Sequence, residues 1–188
     1  MCASDHSIAV FREQGLIPGR DATYKLHNKI YHSCVHTLLC WSDKAQVLCS
    51  VASDRVIYGW DVDVGTGSTP LFAVQRHNEI ITDLLAVDEL DVFVSCSMDR
   101  RIVMWSSLSK RVKGVLQGHR RGVRSLDVHG TTLLSSGFEC EAKLWDLVSK
   151  ENYGVLMGHR RPIAAARLMC KLALSDADQR AVTVDETG

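Results

Sequence analysis

The side chains with the greatest chemical reach in this sequence are its histidines, cysteines, serines and acids, and their spacing suggests several kinds of site. His32, Cys34 and His36 alternate along one stretch as three metal-capable groups. That spacing matches no common zinc set and instead places all three along the entry to a strand. The cysteines (2, 34, 40, 49, 96, 140 and 170) are odd in number and contain no C-x-x-C pair. Reduced, mostly buried thiols are therefore expected, rather than a zinc or disulfide framework. Residues 65–69 (Gly-Thr-Gly-Ser-Thr) have the composition of a phosphate-cradling loop. No Gly-Lys-Ser/Thr follows, and Pro70 leads into another strand, so the stretch reads as a lengthened hairpin. Serine, histidine and aspartate are all present for a nucleophilic triad, but their spacing gives them another duty.

That duty is set by a repeat. Tryptophans stand at 60, 105 and 145, with an acid six residues before each (Asp54, Asp99, Glu139) and a serine ten before each (Ser50, Ser95, Ser135). A histidine precedes each unit, at 32, 77 and 119, and the series continues at 159. Asp5 lies six before Phe11, as if Phe11 held the tryptophan place of an earlier unit. Coincident features at a period of 40–45 residues define an internal repeat, which decides the architecture before any single motif does.

The elements that must position these residues are short strands. Val123–Val128 alternates apolar and polar side chains as a half-buried strand does. Gly130 breaks it, Thr132–Ser136 follows, then Ala142–Asp146, then Tyr153–Met157. No stretch keeps a capped 3.6-residue period, so the fold class is all-β with four antiparallel strands per repeat. At 46% hydrophobic the chain can bury a core, and 22 basic against 22 acidic side chains argue against coating nucleic acid or membrane by gross charge. The first residues lack a signal-peptide pattern, and no apolar run has the length of a membrane span. A cytoplasmic setting is expected.

Gly118-His119 with Leu144-Trp145-Asp146, and then Gly158-His159, resemble the GH…WD signature of WD40 repeats. Arg76-His77, Trp105-Ser106 and Glu139 depart from the pattern, whereas Trp60-Asp61 keeps it. The resemblance implies a β-propeller in which histidine, serine, acid and tryptophan form a buried hydrogen-bonded chain. The expected sets are His32–Ser50–Asp54–Trp60, His77–Ser95–Asp99–Trp105 and His119–Ser135–Glu139–Trp145, the last strained or water-bridged by the extra methylene of Glu139. All are structural: no catalytic residue, cofactor or metal is expected, and the protein is not read as an enzyme. Full blades are expected over residues 32–75, 76–117 and 118–157, with part-blades over 1–31 and 158–188. The whole is an open arc, a partial propeller whose remaining blades would belong to a longer chain. Residues 5–11 are expected to hold the second and third strands of their blade, and 181–185 the second strand of the last.

Function is then a matter of surface. Arg120-Arg121 and Arg160-Arg161 follow a Gly-His pair, while Arg55 and Arg100-Arg101 follow the turn acid. Both loop types open on the same end of a propeller, so these arginines gather on one rim, with Met98 and Phe138 among them. Arginine beside aromatic groups is the composition of interface hot spots. The bland reading is a solvated rim whose arginines bridge to Glu79, Glu139 and Glu141. The expected role is a protein-binding scaffold that takes an acidic or phosphorylated segment. A nucleic-acid or phosphate reader using the same face is the alternative, ranked second because few aromatics are free to stack bases. Residues 136–145, 158–163 and 183–188 also resemble large WD-repeat proteins of ciliated and flagellated cells, which would place the chain at a cilium or flagellum; a nuclear setting is the other variant.

Overall fold

The computed structural model describes residues 6–13, 24–63, 69–170 and 179–185. Among the described residues sixteen strands run in order: β1 (Ser7–Glu13), β2 (Tyr24–Tyr31), β3 (His36–Ser42), β4 (Val47–Ala52), β5 (Ile57–Trp60) and β6 (Phe72–Val74). There follow β7 (Ile81–Val87), β8 (Val92–Ser97), β9 (Ile102–Ser106), β10 (Val112–Leu116) and β11 (Val123–His129). The last are β12 (Thr132–Gly137), β13 (Glu141–Asp146), β14 (Glu151–Met157), β15 (Ile163–Cys170) and β16 (Gln179–Asp185). They form three four-stranded antiparallel sheets, β3–β6, β7–β10 and β11–β14, flanked by the pairs β1–β2 and β15–β16. The array is all-β and open.

Burial alternates along outer strands such as β14, while the middle strands β8 and β9 are buried along their whole length, and the turns between strands concentrate the backbone strain. The turn between first and second strands takes its left-handed residue at Gln46, Asp91 and Gly130 in the three full sheets. Only Gly130 lacks the Cβ that makes this conformation costly. The turn between second and third strands places Arg55 and Arg100 at φ 69° and 71°, an uncommon setting for a side chain that large.

Neighbouring sheets stack face to face, and the core is the set of interfaces between them. Ile8 and Ile30 pack on Trp60 between the first pair and the first full sheet. Cys49, Val51 and Ile57 meet Leu84, Phe93, Val103 and Trp105 at the next interface. Val94, Cys96, Ile102 and Met104 meet Val123, Leu126, Leu133 and Trp145 at the third. Leu134 and Ala142 meet Ile163 and Ala166 at the fourth. Burying each large apolar side chain contributes roughly 1.5–3 kcal/mol, so these interfaces carry most of the stability. The innermost strands are tied sideways as well. Asp83 accepts the Leu126 N–H at 2.8 Å, and the Arg167 guanidinium donates to the Leu126 carbonyl at 3.0 Å.

Two details refine the sequence reading. Among the described residues, 7–13 forms a single strand paired with β2; Asp5 and the earlier strand expected there lie outside them, as does most of the loop 65–69. A bulge separates Val10 from Phe11, as one falls between Leu144 and Trp145. Phe11 therefore occupies the tryptophan place, on the third strand of its sheet.

Candidate functional site

In the second full sheet four side chains join end to end. Trp105 Nε1–H donates to Ser95 Oγ at 2.8 Å, and Ser95 Oγ lies 2.9 Å from His77 Nε2. His77 Nδ1 lies 3.0 Å from Asp99 Oδ2. The directions follow from the Asp99 carboxylate, which only accepts: the neutral His77 ring carries its proton on Nδ1, its Nε2 accepts the Ser95 hydroxyl, and Ser95 in turn accepts the Trp105 N–H. Burial lowers the His77 pKa, against the pull of Asp99, so the chain runs through a neutral imidazole. Burial would raise the Asp99 carboxyl. The N–H groups of Asn78 and Arg101, together with His77, hold it below the usual carboxylate range instead.

The third full sheet repeats this chain with a glutamate. Trp145 Nε1–H reaches Ser135 Oγ at 2.8 Å, Ser135 lies 2.6 Å from His119 Nε2, and His119 Nδ1 bonds directly to Glu139 Oε1. The contact between His119 and Glu139 is direct despite the extra methylene. Glu139 Oε2 also accepts the Arg120 N–H at 2.9 Å, and Lys143 comes within 3.7 Å of Oε1. The longer side chain is accommodated by reaching forward to that lysine, which also pairs with Glu141 at 3.2 Å. In β15–β16, His159 holds Thr183 at 2.6 Å and Asp185 at 3.2 Å.

The first full sheet departs from the expected set. Trp60 Nε1–H bonds Ser50 Oγ at 2.7 Å, but His32 bonds neither Ser50 nor Asp54. Asp54 instead accepts the Tyr58 hydroxyl at 2.7 Å, and His32 lies against the Tyr58 and Trp60 rings, with centroids 4.4 and 5.5 Å away. The cause is loop length. Lys29, Ala73, Val115 and Val155 hold equivalent register positions on the outer strands, and His36, Ile81, Val123 and Ile163 open the strands that follow. The chain takes eight steps from 73 to 81, 115 to 123 and 155 to 163, but seven from 29 to 36. One residue is missing from the turn that would aim the His32 ring inward. His36, meanwhile, occupies a place that is apolar in the other units. It is 3% exposed, and both its ring nitrogens lack a partner. Burial, then the nearby His32, lower its pKa to about 4, with Asp54 opposing. Sequence reasoning passed over Tyr58 and weighed His36 only as a metal-capable group; comparing aligned positions across the repeats would have exposed both.

The rim arginines follow from strand order, since both loop types lie at the same end of every antiparallel sheet. A cleft of ≈ 530 Å³ opens between the second and third full sheets, lined by Asn78, Glu79, Arg100, Arg101 and the 117–119 turn. Arg100, Arg120, Arg121, Arg160 and Arg161 are exposed. Arg55 is used internally, donating to the Asn78 carbonyl at 2.8 Å, and Arg101 lies 3.5 Å from Asp99. Met98 and Phe138 are half-buried. Met98 packs on Gly122, where an added Cβ would fall 2.8 Å from its sulfur, and Phe138 lies under the Arg124 guanidinium at 5.7 Å. Among the described residues no group of three or more His, Cys, Asp or Glu side chains is placed to hold a metal, and no helix is long and apolar enough to cross a membrane. Cys49 and Cys96 are buried, and burial pushes both thiols up.

Residues 68–106 and 110–146 match the family model described as WD domain, G-beta repeat. Each matched stretch begins at or just before one sheet's outer strand and continues through three strands of the next, so the sequence unit is offset from the sheet. A similar curated protein is cilia- and flagella-associated protein 337 B of Tetrahymena thermophila, 25% identical over 120 residues, which are 63% of this chain and 9% of that one. The chain thus spans under a tenth of that relative's length. The solved structure of U3-55K superposes at a TM-score of 0.63 with 20% identity, over 72% of this chain and 43% of that one. The chain carries WD40 repeats and folds as an open part of a WD40 propeller.

Proposed function

We propose that the chain holds an acidic or phosphorylated segment of another protein on its arginine-bearing end. WD40 propellers serve in general as non-enzymatic scaffolds for other proteins, and the chain is read in the same way. The observation that carries the finer reading is the exposure of Arg100, Arg120, Arg121, Arg160 and Arg161 at one end of the sheet array beside a polar cleft. A guanidinium offers a planar fork that meets carboxylate or phosphate through two parallel hydrogen bonds. The half-buried Met98 and Phe138 supply apolar floor between the loops. Arg55, already bound to Asn78, acts by fixing the neighbouring loop.

The likeness to a ciliary protein favours a cilium or flagellum as the setting. The test is titration of the purified chain with a fluorescent peptide bearing glutamates or phosphoserines, against a neutral peptide of equal length. Arg120→Glu with Arg121→Glu, and Arg160→Glu with Arg161→Glu, are expected to weaken binding at least tenfold and to leave the melting temperature in place. Unchanged binding by the fourfold variant overturns the reading. If single-stranded nucleic acid binds more tightly than either peptide and its affinity falls steeply with salt, the face is a phosphate-backbone reader instead.

A further inference from the structure

We propose that the partner segment held at the arginine-bearing end continues down the side of the third full sheet, as an added strand on the outer edge of β14. The inference rests on the reading above and names the rest of that segment: an acidic stretch, then an extended apolar stretch, then a basic residue.

The first observation is that β14 differs from the other outer strands. An outer strand offers unpaired N–H and C=O groups to any chain that can align with them, and short length, lysines and bulges are the usual protections. β6 has only the three residues Phe72–Val74. β2 carries Lys25 and Lys29. β10 carries Lys113, and Lys150 lies across it, its stem over Gly114 and its ammonium on the Lys113 carbonyl. β14 is seven residues long with one charge, Glu151, at its start. Its bulge falls at Tyr153, and residues 154–157 then run in unbroken register with 144–141. Among the described residues no strand pairs with its other side. Every second residue of this stretch therefore turns its N–H and C=O outward.

The second observation is a pair of apolar side chains beside that edge. Leu156 stands opposite Ala142 and packs with it against β15–β16. Val155 and Met157 face the other way, opposite Lys143 and Glu141, on the face whose Trp145 packs against the second full sheet. That sheet has all four strands, yet Val155 is 39% and Met157 75% exposed. A guest strand would set its own alternate side chains directly beside these two, the cross-strand contact that stabilises a sheet. β-branched and aromatic side chains suit that place.

The third observation is the charge at the two ends of the edge. β14 runs towards Arg160 and Arg161, both exposed, and away from the exposed Glu151, while residues 152–157 carry no charge. Among the described residues every strand pairing is antiparallel. An antiparallel guest enters at the arginines and leaves at Glu151. Its acidic or phosphorylated part then comes first in its own sequence, and a lysine or arginine comes last. The extended part between them spans roughly 20 Å, at about 3.4 Å per residue.

The test is titration of the intact chain with fluorescent peptides, with hydrogen exchange on the same samples. The full probe carries glutamates, an alternating valine–threonine stretch and a lysine, in that order. It is expected to bind about tenfold more tightly than the glutamate stretch alone and to slow the outward amides of residues 154–157. Prolines at alternate places in the valine–threonine stretch remove its N–H donors and leave its charges in place, so they are expected to cancel the gain. Reversing the order of the probe is expected to cancel it too. Val155→Asn with Met157→Asn changes exposed side chains and no charge. It is expected to lower affinity for the full probe to that of the glutamate stretch, with the melting temperature unchanged. Equal affinity for the full and the proline-bearing probes, or β14 amides that do not slow, overturns this proposal alone, because the glutamate stretch still reports on the arginines. Full-probe binding that survives Arg160→Glu with Arg161→Glu overturns the reading beneath it, and the proposal with it. Amides of β14 that are already slow without peptide and are released on dilution would show a second copy on the edge, which overturns the proposal as well.

Discussion

The first and second full sheets have the same strand count and the same tryptophan–serine bond, yet they treat the repeat histidine in opposite ways. In the second, His77 is 2% exposed and joins Ser95 to Asp99. In the first, His32 is only half-buried, accepts the Cys34 N–H at 3.3 Å and otherwise packs against the Tyr58 and Trp60 rings. What both preserve is the burial of the indole N–H on a serine oxygen. What varies is how the turn acid is held: by histidine in the second sheet, by histidine and a lysine in the third, and by Tyr58 in the first. The acid, with its backbone turn to cap, is the fixed requirement, and the histidine is one of several ways to meet it.

The largest effect tests what the sheets share. Trp105→Ala is expected to cost about 3–5 kcal/mol, because a buried indole leaves a cavity between two sheets. Trp60→Ala is expected to fall in the same range, since Trp60 is 1% exposed. Urea unfolding followed by circular dichroism checks both; a loss below about 1 kcal/mol for either would show that the stacked sheets do not depend on it. The next effect tests the difference. Ser95→Ala strands both the Trp105 N–H and His77 Nε2, while Ser50→Ala strands the Trp60 N–H alone. Each buried polar atom left unpaired costs about 1–3 kcal/mol, so the Ser95 variant is expected to lose more by that amount. Equal losses would mean that the histidine contributes nothing to the second sheet.

Much of this was legible in the sequence. The recurrence of histidine, serine, acid and tryptophan at matched spacings pointed to an open all-β array of four-stranded antiparallel sheets. It placed His32 wrongly because spacing back to a tryptophan does not count residues forward from the preceding outer strand, and that turn is one residue short. It weighed His36 only as a metal-capable group and did not expect its burial, because a histidine's polarity argues for exposure. It did not foresee Lys143 beside Glu139, because that lysine stands two places before the tryptophan, where the repeat residues give no signal. Local exchanges that compensate each other leave no period to detect.

His36 gives the comparison a pH dependence. Its folded pKa is about 4, below the ordinary 6.5, and burial lowers His77 and His119 too. The unfolded chain therefore takes up protons on these rings first. For His36 the stability held by the neutral ring is lost as the pH falls from about 6.5 towards 4, and His77 and His119 act in the same direction. Asp54 and Asp99, held low by their hydrogen bonds, weaken the fold only at pH values below that window. His36→Ile supplies the apolar side chain found at positions 81 and 163 and removes two orphaned nitrogens. It is expected to stabilise the chain by about 1–2 kcal/mol at pH 5 and to flatten the acid side of the stability curve. A steeper acid loss, or a lower melting temperature, would mean that His36 has a partner in solution.

The smallest effect bears on whether the first sheet could adopt the histidine chain at all. Tyr58→Phe removes the hydroxyl that Asp54 accepts but leaves the Val56 N–H and the Cys34 thiol on the same carboxylate. The expected cost is therefore modest, about 0.5–1.5 kcal/mol. Inserting one glycine between Tyr31 and His32 restores the eight-step turn of the other units. With Tyr58 intact, that insertion is expected to bring no gain, because the tyrosine already satisfies Asp54 and lies beside the His32 ring. In the Tyr58→Phe chain the carboxylate has capacity to spare, and the lengthened turn lets His32 swing in to bond Ser50 and Asp54. Part of the lost stability is then expected to return, together with a slowly exchanging imidazole N–H resonance assigned to His32. If the insertion destabilises both chains alike and no such resonance appears, turn length is not what keeps His32 out, and the stacking of His32, His36, Tyr58 and Trp60 is the stronger constraint.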